Sequence, residues 1–254
     1  MSRAFVCVRI DSYESEEHQK YVRTFLDGRF ENSAFCLLSP GGQGWLSRAG
    51  RSPEMVLGRN VSSCVEQMKL VAALYPPRAD VKQTEVQDFH SVRQALNVAA
   101  ADQRVLVVVN GPSDQIAPLR RSLGSVVSDD RIIGRFHIDF EKDYEWRKTV
   151  AGVKDGAGIV VIRPGEFGLD GTVMTQLPLN TSNADILTAL LVANTEFAKS
   201  TAKKVYSGHV AKGEQLGIYF EGAVPYGEDR DGDGRIDRGG RGGFPGRRGG
   251  RPGR

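Results

Sequence analysis

The sequence predicts an α/β fold, with mixed four-stranded sheets flanked by helices, and three observations carry that prediction. Residues 105–109 (VLVVV) form a β-branched run of the kind buried on both faces in a parallel sheet. From Arg104 to Lys204 strand-like and helix-like segments alternate in one clear order. Part of that order also occurs between residues 5 and 75, so the chain reads as two copies of one fold.

The second copy is the clearer one. After the strand at 105–109, residues 116–127 read as a helix with Ile116, Leu119, Leu123 and Val126 on one face. Residues 131–140 return as a strand and 142–150 as a helix. Residues 158–163 (GIVVIR) are a third strand, 164–171 a turn-rich link and 172–177 a fourth strand. Residues 185–204 close as a long helix striped by Ile186, Leu190, Ala193 and Phe197, with Ser182 or Asn183 as its N-cap. Strand–helix–strand units joined by right-handed crossovers give parallel pairing, and the short link gives an antiparallel edge hairpin. A helix over about 90–101 precedes the copy, and a strand-like piece at 216–220 follows it.

The first copy reads as a strand at 5–10, a helix at 16–26 carrying Tyr21, Val22, Phe25 and Leu26, strands at 34–38 and 45–49, and a helix at 61–74. Arg9-Ile10-Asp11 echoes His137-Ile138-Asp139, and Ser39-Pro40-Gly41 echoes Arg163-Pro164-Gly165. This copy lacks an opening strand and helix, and the missing strand belongs in the middle of the sheet. Leaving it out would orphan backbone groups on both neighbours, at about 1–3 kcal/mol for each one buried. The expectation is that the chain is incomplete at its N-terminus, or that another segment fills the gap. The predicted layout is a partial repeat at 1–75, a linker at 76–89 marked by Pro76-Pro77, a complete domain at 90–220, an Asp-rich loop at 221–240 and a tail at 241–254.

Composition excludes some classes. Among 254 residues, 40% hydrophobic and 26% charged is ordinary for a globular chain. No apolar run approaches the roughly 20 residues of a membrane span. Residues 5–10 are too short for a secretory signal and contain Arg9. The net charge is +3, but Arg238, Arg241, Arg247, Arg248, Arg251 and Arg254 supply +6 with no acid among them, which leaves −3 on residues 1–237. An electrostatic case for nucleic acid therefore rests on the tail. Cys7, Cys36 and Cys64 form no Cys-x-x-Cys pair, and Cys7 and Cys36 sit in apolar runs as small core residues. His18, His90 and His209 show no metal-ligand spacing.

The turn after residues 105–109 reads Asn110-Gly111-Pro112-Ser113-Asp114-Gln115-Ile116-Ala117-Pro118. It resembles the thioredoxin active-site segment, with Gly111-Pro112 and Ile116-Ala117-Pro118 in register. The likeness extends over 90–202 and covers 5–75 only through topology and the echoes. It implies tandem thioredoxin-like folds whose second active-site turn is degenerate. Asn110 and Ser113 stand where that family has its two cysteines, and Val109 where it has Trp. The family's cis-proline before the third strand is replaced by Lys154-Asp155-Gly156-Ala157-Gly158, and in the first copy by Glu31-Asn32-Ser33-Ala34. Dithiol exchange needs a low-pKa thiolate and a second, resolving sulfur, and this turn supplies neither. Ser113 reads as an N-cap of the following helix rather than a nucleophile, with His137 and Asp114 as the groups nearest to hand for activating it.

Asp229, Asp231 and Asp233, then Gly234, the carbonyl of Arg235, Ile236 and Asp237, follow the pattern of a calcium loop. The stretch resembles EF-hand and dockerin loops, but position 12 is Gly240 instead of a bidentate Glu and the flanks are not helical, so only weak calcium binding is expected. Residues 238–254 are Arg/Gly/Pro-rich around Phe244, are predicted to be disordered, and resemble RNA-binding Arg-Gly segments. Three functions follow. The first is a non-catalytic thioredoxin-like binding or scaffold protein with a protein partner and weak calcium binding. The second is a thiol–disulfide oxidoreductase whose dithiol lies in a missing N-terminal segment. The third is an RNA-associated protein acting through the tail.

Overall fold

The structure, a computed structural model, describes residues 5, 8–10, 12, 14–25, 35–50, 52–76, 86, 88, 89 and 91–219. These divide into two compact units, one within residues 1–79 and one within 80–220.

The first unit holds α1 (Glu16–Phe25), α2 (Pro53–Val56) and α3 (Val61–Leu74). Phe25 is buried, with its ring 4.7 Å from Tyr21 and 5.4 Å from Trp45. The Tyr21 hydroxyl donates to the Gly42 carbonyl at 2.7 Å, which ties α1 to the 35–50 hairpin. Asn60 caps α3 by accepting from the Ser63 amide at 2.9 Å. The strands expected at 34–38 and 45–49 are reduced to two isolated antiparallel bridges, Phe35 with Gly50 and Leu38 with Trp45. Residues 8–10 are not a strand. A two-stranded pairing is marginal without a third strand or a covered apolar face, and Phe35 and Trp45 are both exposed here.

The second unit is a five-stranded mixed sheet flanked by helices. In chain order it comprises α4 (Val92–Asp102), β1 (Val105–Asn110), α5 (Ser113–Ser122), α6 (Gly124–Val127), β2 (Phe136–Glu141), a 3-10 turn (Glu145–Thr149), β3 (Val150–Ala151), β4 (Gly158–Pro164), β5 (Gly171–Leu177), α7 (Asn183–Ser200) and α8 (Tyr206–Gln215). The strand order is β2-β1-β4-β5-β3. β1 runs parallel to β2, from Val105 opposite Phe136 to Asn110 opposite Glu141. It runs antiparallel to β4, with Asn110 opposite Gly158. β4 and β5 form the expected antiparallel hairpin, and β3 adds a short parallel edge on β5.

Alternation along β1 explains why the run is apolar without a break. Val105, Val107 and Val109 face Ile116, Leu123, Ile186 and Leu190 of the helices on one side of the sheet. Leu106 and Val108 face Ala95, Leu96 and Ala99 of α4 on the other, with Trp146. Every residue of β1 is buried, and each large side chain so placed contributes about 1.5–3 kcal/mol.

Several boundaries differ from expectation. Residues 142–150 are not an α-helix. Asp143 accepts from the Glu145 amide at 3.1 Å and its carbonyl from the Trp146 indole at 3.2 Å, so the chain folds into a 3-10 turn and enters β3. β2 begins only at Phe136, after a turn through Gly134 at φ +73°. The helix expected at 116–127 starts at Ser113 and breaks at Leu123 between α5 and α6. Ser182 does cap α7, accepting from the Asp185 amide at 3.2 Å. Of the strand expected at 216–220, residues 216–219 are described and follow α8 as a turn through Leu216 and Gly217, with Gly217 at φ +65°. α8 hides from a periodicity reading because Gly208 and Gly213 interrupt it. Among the described residues no helix is long and apolar enough to cross a membrane.

Candidate functional site

The turn at residues 110–113 sits at the carboxyl ends of the parallel pair β1–β2, the end of an open α/β sheet where loops converge. Asn110, the last residue of β1, is completely buried. Its Nδ2 donates to the Glu141 carbonyl at 3.0 Å and to the Asp143 carbonyl at 2.7 Å. Its Oδ1 accepts from the Arg147 guanidinium at 2.9 Å. Both amide protons and the amide oxygen are therefore engaged. Arg147 also donates to the Gly156 carbonyl, lies 4.1 Å over the Tyr144 ring and stands 3.8 Å from Asp155. One side chain thus pins β1, the 3-10 turn and the loop ahead of β4 together.

Gly111 follows in a tight space. A Cβ there would lie 2.8 Å from Leu179 Cδ1 and 3.1 Å from Ala157 Cβ. Its amide donates to the Glu141 carbonyl at 3.0 Å. The loop ahead of β4 therefore packs directly on the turn, through Ala157.

Ser113 is not the N-cap that its sequence position suggests. Pro112 occupies the cap, and its carbonyl accepts from the Gln115 and Ile116 amides at 3.0 Å. Ser113 is the first helical residue, exposed, and makes no side-chain cap bond. His137 cannot activate it. His137 lies opposite Leu106 and pairs its Nε2 with Asp102 Oδ2 at 2.9 Å. Four residue steps along β1 separate Leu106 from Asn110, about 13 Å at the usual rise.

Beside Asn110 lies a group of acids for which the sequence reading had no role. β2 reads Phe-His-Ile-Asp-Phe-Glu, and its alternate residues His137, Asp139 and Glu141 face α4. Asp139 is buried and accepts from the Phe89 amide at 3.2 Å. Glu141 accepts from the Val92 amide at 3.3 Å and so serves α4 as a cap, because Ser91 makes no such bond. Asp88 is paired with Arg120, whose guanidinium lies 4.2 Å over Phe140. Burial pushes the Glu141 carboxyl up to about 7, aided by Asp139, Asp143 and Asp88 and opposed by the Val92 amide. The polar alternation in β2 was the available sequence signal, since a plain core strand would be apolar on that face.

The remaining reactive groups do not converge on this site. Cys64 is buried in α3, and burial raises the pKa of the half-buried Cys36 thiol, which disfavours a thiolate. Among the described residues no three His, Cys, Asp or Glu side chains are placed to hold a metal ion. Asp229, Asp231, Asp233, Arg235 and Asp237, with Cys7 and the arginine tail, lie outside the described residues. A cleft of about 380 Å³ opens at the other end of the sheet, lined by Gln103, Arg163, Lys203 and Lys204. Two of its cations are committed within the fold. Lys204 donates to the Ala100 carbonyl at 3.2 Å and Arg163 to the Ser200 hydroxyl at 2.6 Å, at the C-terminal ends of α4 and α7. Comparisons with protein-family models, curated proteins and solved structures give no match.

Proposed function

We propose that the chain is a non-catalytic protein of tandem thioredoxin-like folds that works by binding or as a scaffold. The observation that carries this reading is Asn110. Where the family that the turn resembles keeps a reactive sulfur, a fully buried amide commits both of its N–H donors and its oxygen to three backbone and side-chain partners. Such a network rigidifies the turn and leaves no thiol at this position. Ser113 is the exposed first residue of α5, and His137, one of the two groups named for activating it, pairs instead with Asp102 toward the far end of β1. The strand order β2-β1-β4-β5, with β1 central, supports the thioredoxin-like assignment of the second unit. The tandem arrangement draws on the echoes at Arg9-Ile10-Asp11 and Ser39-Pro40-Gly41.

Weak calcium binding at Asp229, Asp231, Asp233, Asp237 and the Arg235 carbonyl belongs to the same proposal and rests on the sequence pattern alone. The oxidoreductase and RNA readings gain no observation from the described residues. The test is thiol–disulfide exchange by the full chain with a dithiol reductant and a disulfide protein substrate. The expected rate equals that of the reductant alone. Acceleration that disappears in Cys36→Ser or Cys64→Ser would overturn the non-catalytic reading. Calorimetric calcium titration of the full chain, against Asp229→Ala with Asp233→Ala, tests the loop. Heat that is absent from the parent chain, or unchanged in the variant, removes calcium from the proposal.

A further inference from the structure

α8 is joined to the sheet in an unusual way. The preceding segment is anchored by backbone, with the Gln103 side chain donating to the Ala202 carbonyl at 2.7 Å and accepting from the Lys204 amide at 2.9 Å. Lys204 Nζ donates to the carbonyls of Ala100 and Glu166. Anchoring then stops. Val205 is 73% exposed, and within α8 Gly213 is the one residue described as buried.

What holds α8 is the link between β4 and β5. Lys212 Nζ lies 2.7 Å from both carboxylate oxygens of Glu166. The His209 ring stacks on Phe167 with centroids 4.7 Å apart and planes 12° apart, and its Nδ1 is 4.0 Å from Glu166. Gly213 closes against Phe167, where a Cβ would lie 3.1 Å from the ring. A ten-residue helix with two glycines has little stability of its own. Its contacts with Glu166 and Phe167, made by Lys212, His209 and Gly213, hold it.

We propose that α8 is an acid-released clasp, hinged at Val205, whose docking on Glu166 and Phe167 is controlled by the protonation of His209 and Glu166. The charged groups facing His209 are Glu166 from the β4–β5 link, Lys204 from the anchored segment and Lys212 from α8 itself. A proton on His209 puts a third cation around one carboxylate and desolvates it against Phe167. A proton on Glu166 removes the acceptor that Lys212 needs. Burial and then Lys204 lower the pKa of docked His209, and the Lys212 hydrogen bond lowers that of Glu166. Both groups therefore bind protons less well when docked. Docking is therefore favoured above the ordinary histidine range and weakens as pH falls through it on account of His209, against the attraction of Glu166, while the proton on Glu166 adds to the loss only below the ordinary carboxylate range. Release unwinds α8 and uncovers Phe167.

Hydrogen exchange of the full chain, expressed as protection factors at pH 7.5 and 5.5, tests this. The amides of residues 209–215 should lose protection relative to α7 on going from pH 7.5 to 5.5, because docked His209 binds its proton less well than released His209. His209→Phe keeps a ring on Phe167 but cannot take a proton, and should hold α8 protection nearly constant between the two pH values. Glu166→Gln should lose α8 protection at both, with α7 protection serving as the folding control. Equal protection of α8 at both pH values in the parent chain, or an undiminished acid loss in His209→Phe, overturns the proposal.

Discussion

Replacing Asn110 by Ala removes two neutral hydrogen bonds and one charge-assisted bond, and the size of the loss can be worked from the partners left behind. Glu141 O keeps the Gly111 amide, Asp143 O keeps the Trp146 indole, and Arg147 keeps the Gly156 carbonyl. No partner is orphaned outright, so the cost is close to the net worth of the bonds. That is about 1 kcal/mol for each neutral bond and about 2 for the bond from Arg147. The expected total is about 4 kcal/mol, or a midpoint lowered by about 15 °C for a unit of this size. Urea unfolding followed by Trp146 fluorescence measures it, because that buried indole hydrogen-bonds beside the network. Asn110→Asp sharpens the test. It keeps an acceptor for Arg147 but turns an oxygen toward two carbonyls, so its deficit should shrink as the pH falls and the new carboxyl gains a proton. A loss below about 1 kcal/mol for Asn110→Ala, or a pH-independent deficit for Asn110→Asp, would refute the role assigned to this side chain.

Other variants probe the neighbouring elements. The Glu141 carboxyl titrates near 7 when folded and near 4.5 when unfolded, so the folded state holds the extra proton between those values. Stability therefore falls as pH rises through that window, and Glu141→Gln should match the parent near pH 4 and exceed it at pH 8. For this half-buried group the gain, discounted for solvent screening, is about 1 kcal/mol. Urea midpoints at the two pH values check it, and a variant less stable at pH 8 contradicts the sign. Gly168 takes φ +72° with the Asn97 Cα only 2.5 Å from where a Cβ would stand. Gly168→Ala should cost more than about 2 kcal/mol by thermal unfolding, whereas Gly156→Ala, with open space at its Cβ, should cost only the left-handed backbone penalty of about 1.

The second unit was legible because its signals are local and agree with one another. The valine run at 105–109, the stripe through Ile186, Leu190, Ala193 and Phe197, and the Ser182 cap each name one element, and the sheet follows from their order. What escaped had no period to read. β3 is two residues long, and Gly208 and Gly213 break the pattern of α8. The first unit was misread in its strands because residues 35–50 alternate like a hairpin while only two bridges form. At the candidate site, the turn at 110–113 could be seen from its composition. Its partners could not, since Arg147 and the carbonyls of Glu141 and Asp143 reach Asn110 from more than 30 residues away. The Ser113 cap failed for a similar reason, because Pro112 extends the chain so that the helix starts one residue early.

The central claim is that the Asn110 turn is a sealed structural network and not an open active site lacking two sulfurs. It is tested most directly by Asn110→Cys with Ser113→Cys, assayed for stability and for thiol reactivity. A sulfur at position 110 would be buried against the carbonyls of Glu141 and Asp143, close to Asp139 and Glu141, surroundings that disfavour a thiolate. The double variant should be destabilised by several kcal/mol, and its position-110 thiol, in the folded protein, should react with a disulfide reagent no faster than an ordinary buried cysteine. A variant as stable as the parent, with a rapidly reacting thiol and catalysed exchange, would contradict it.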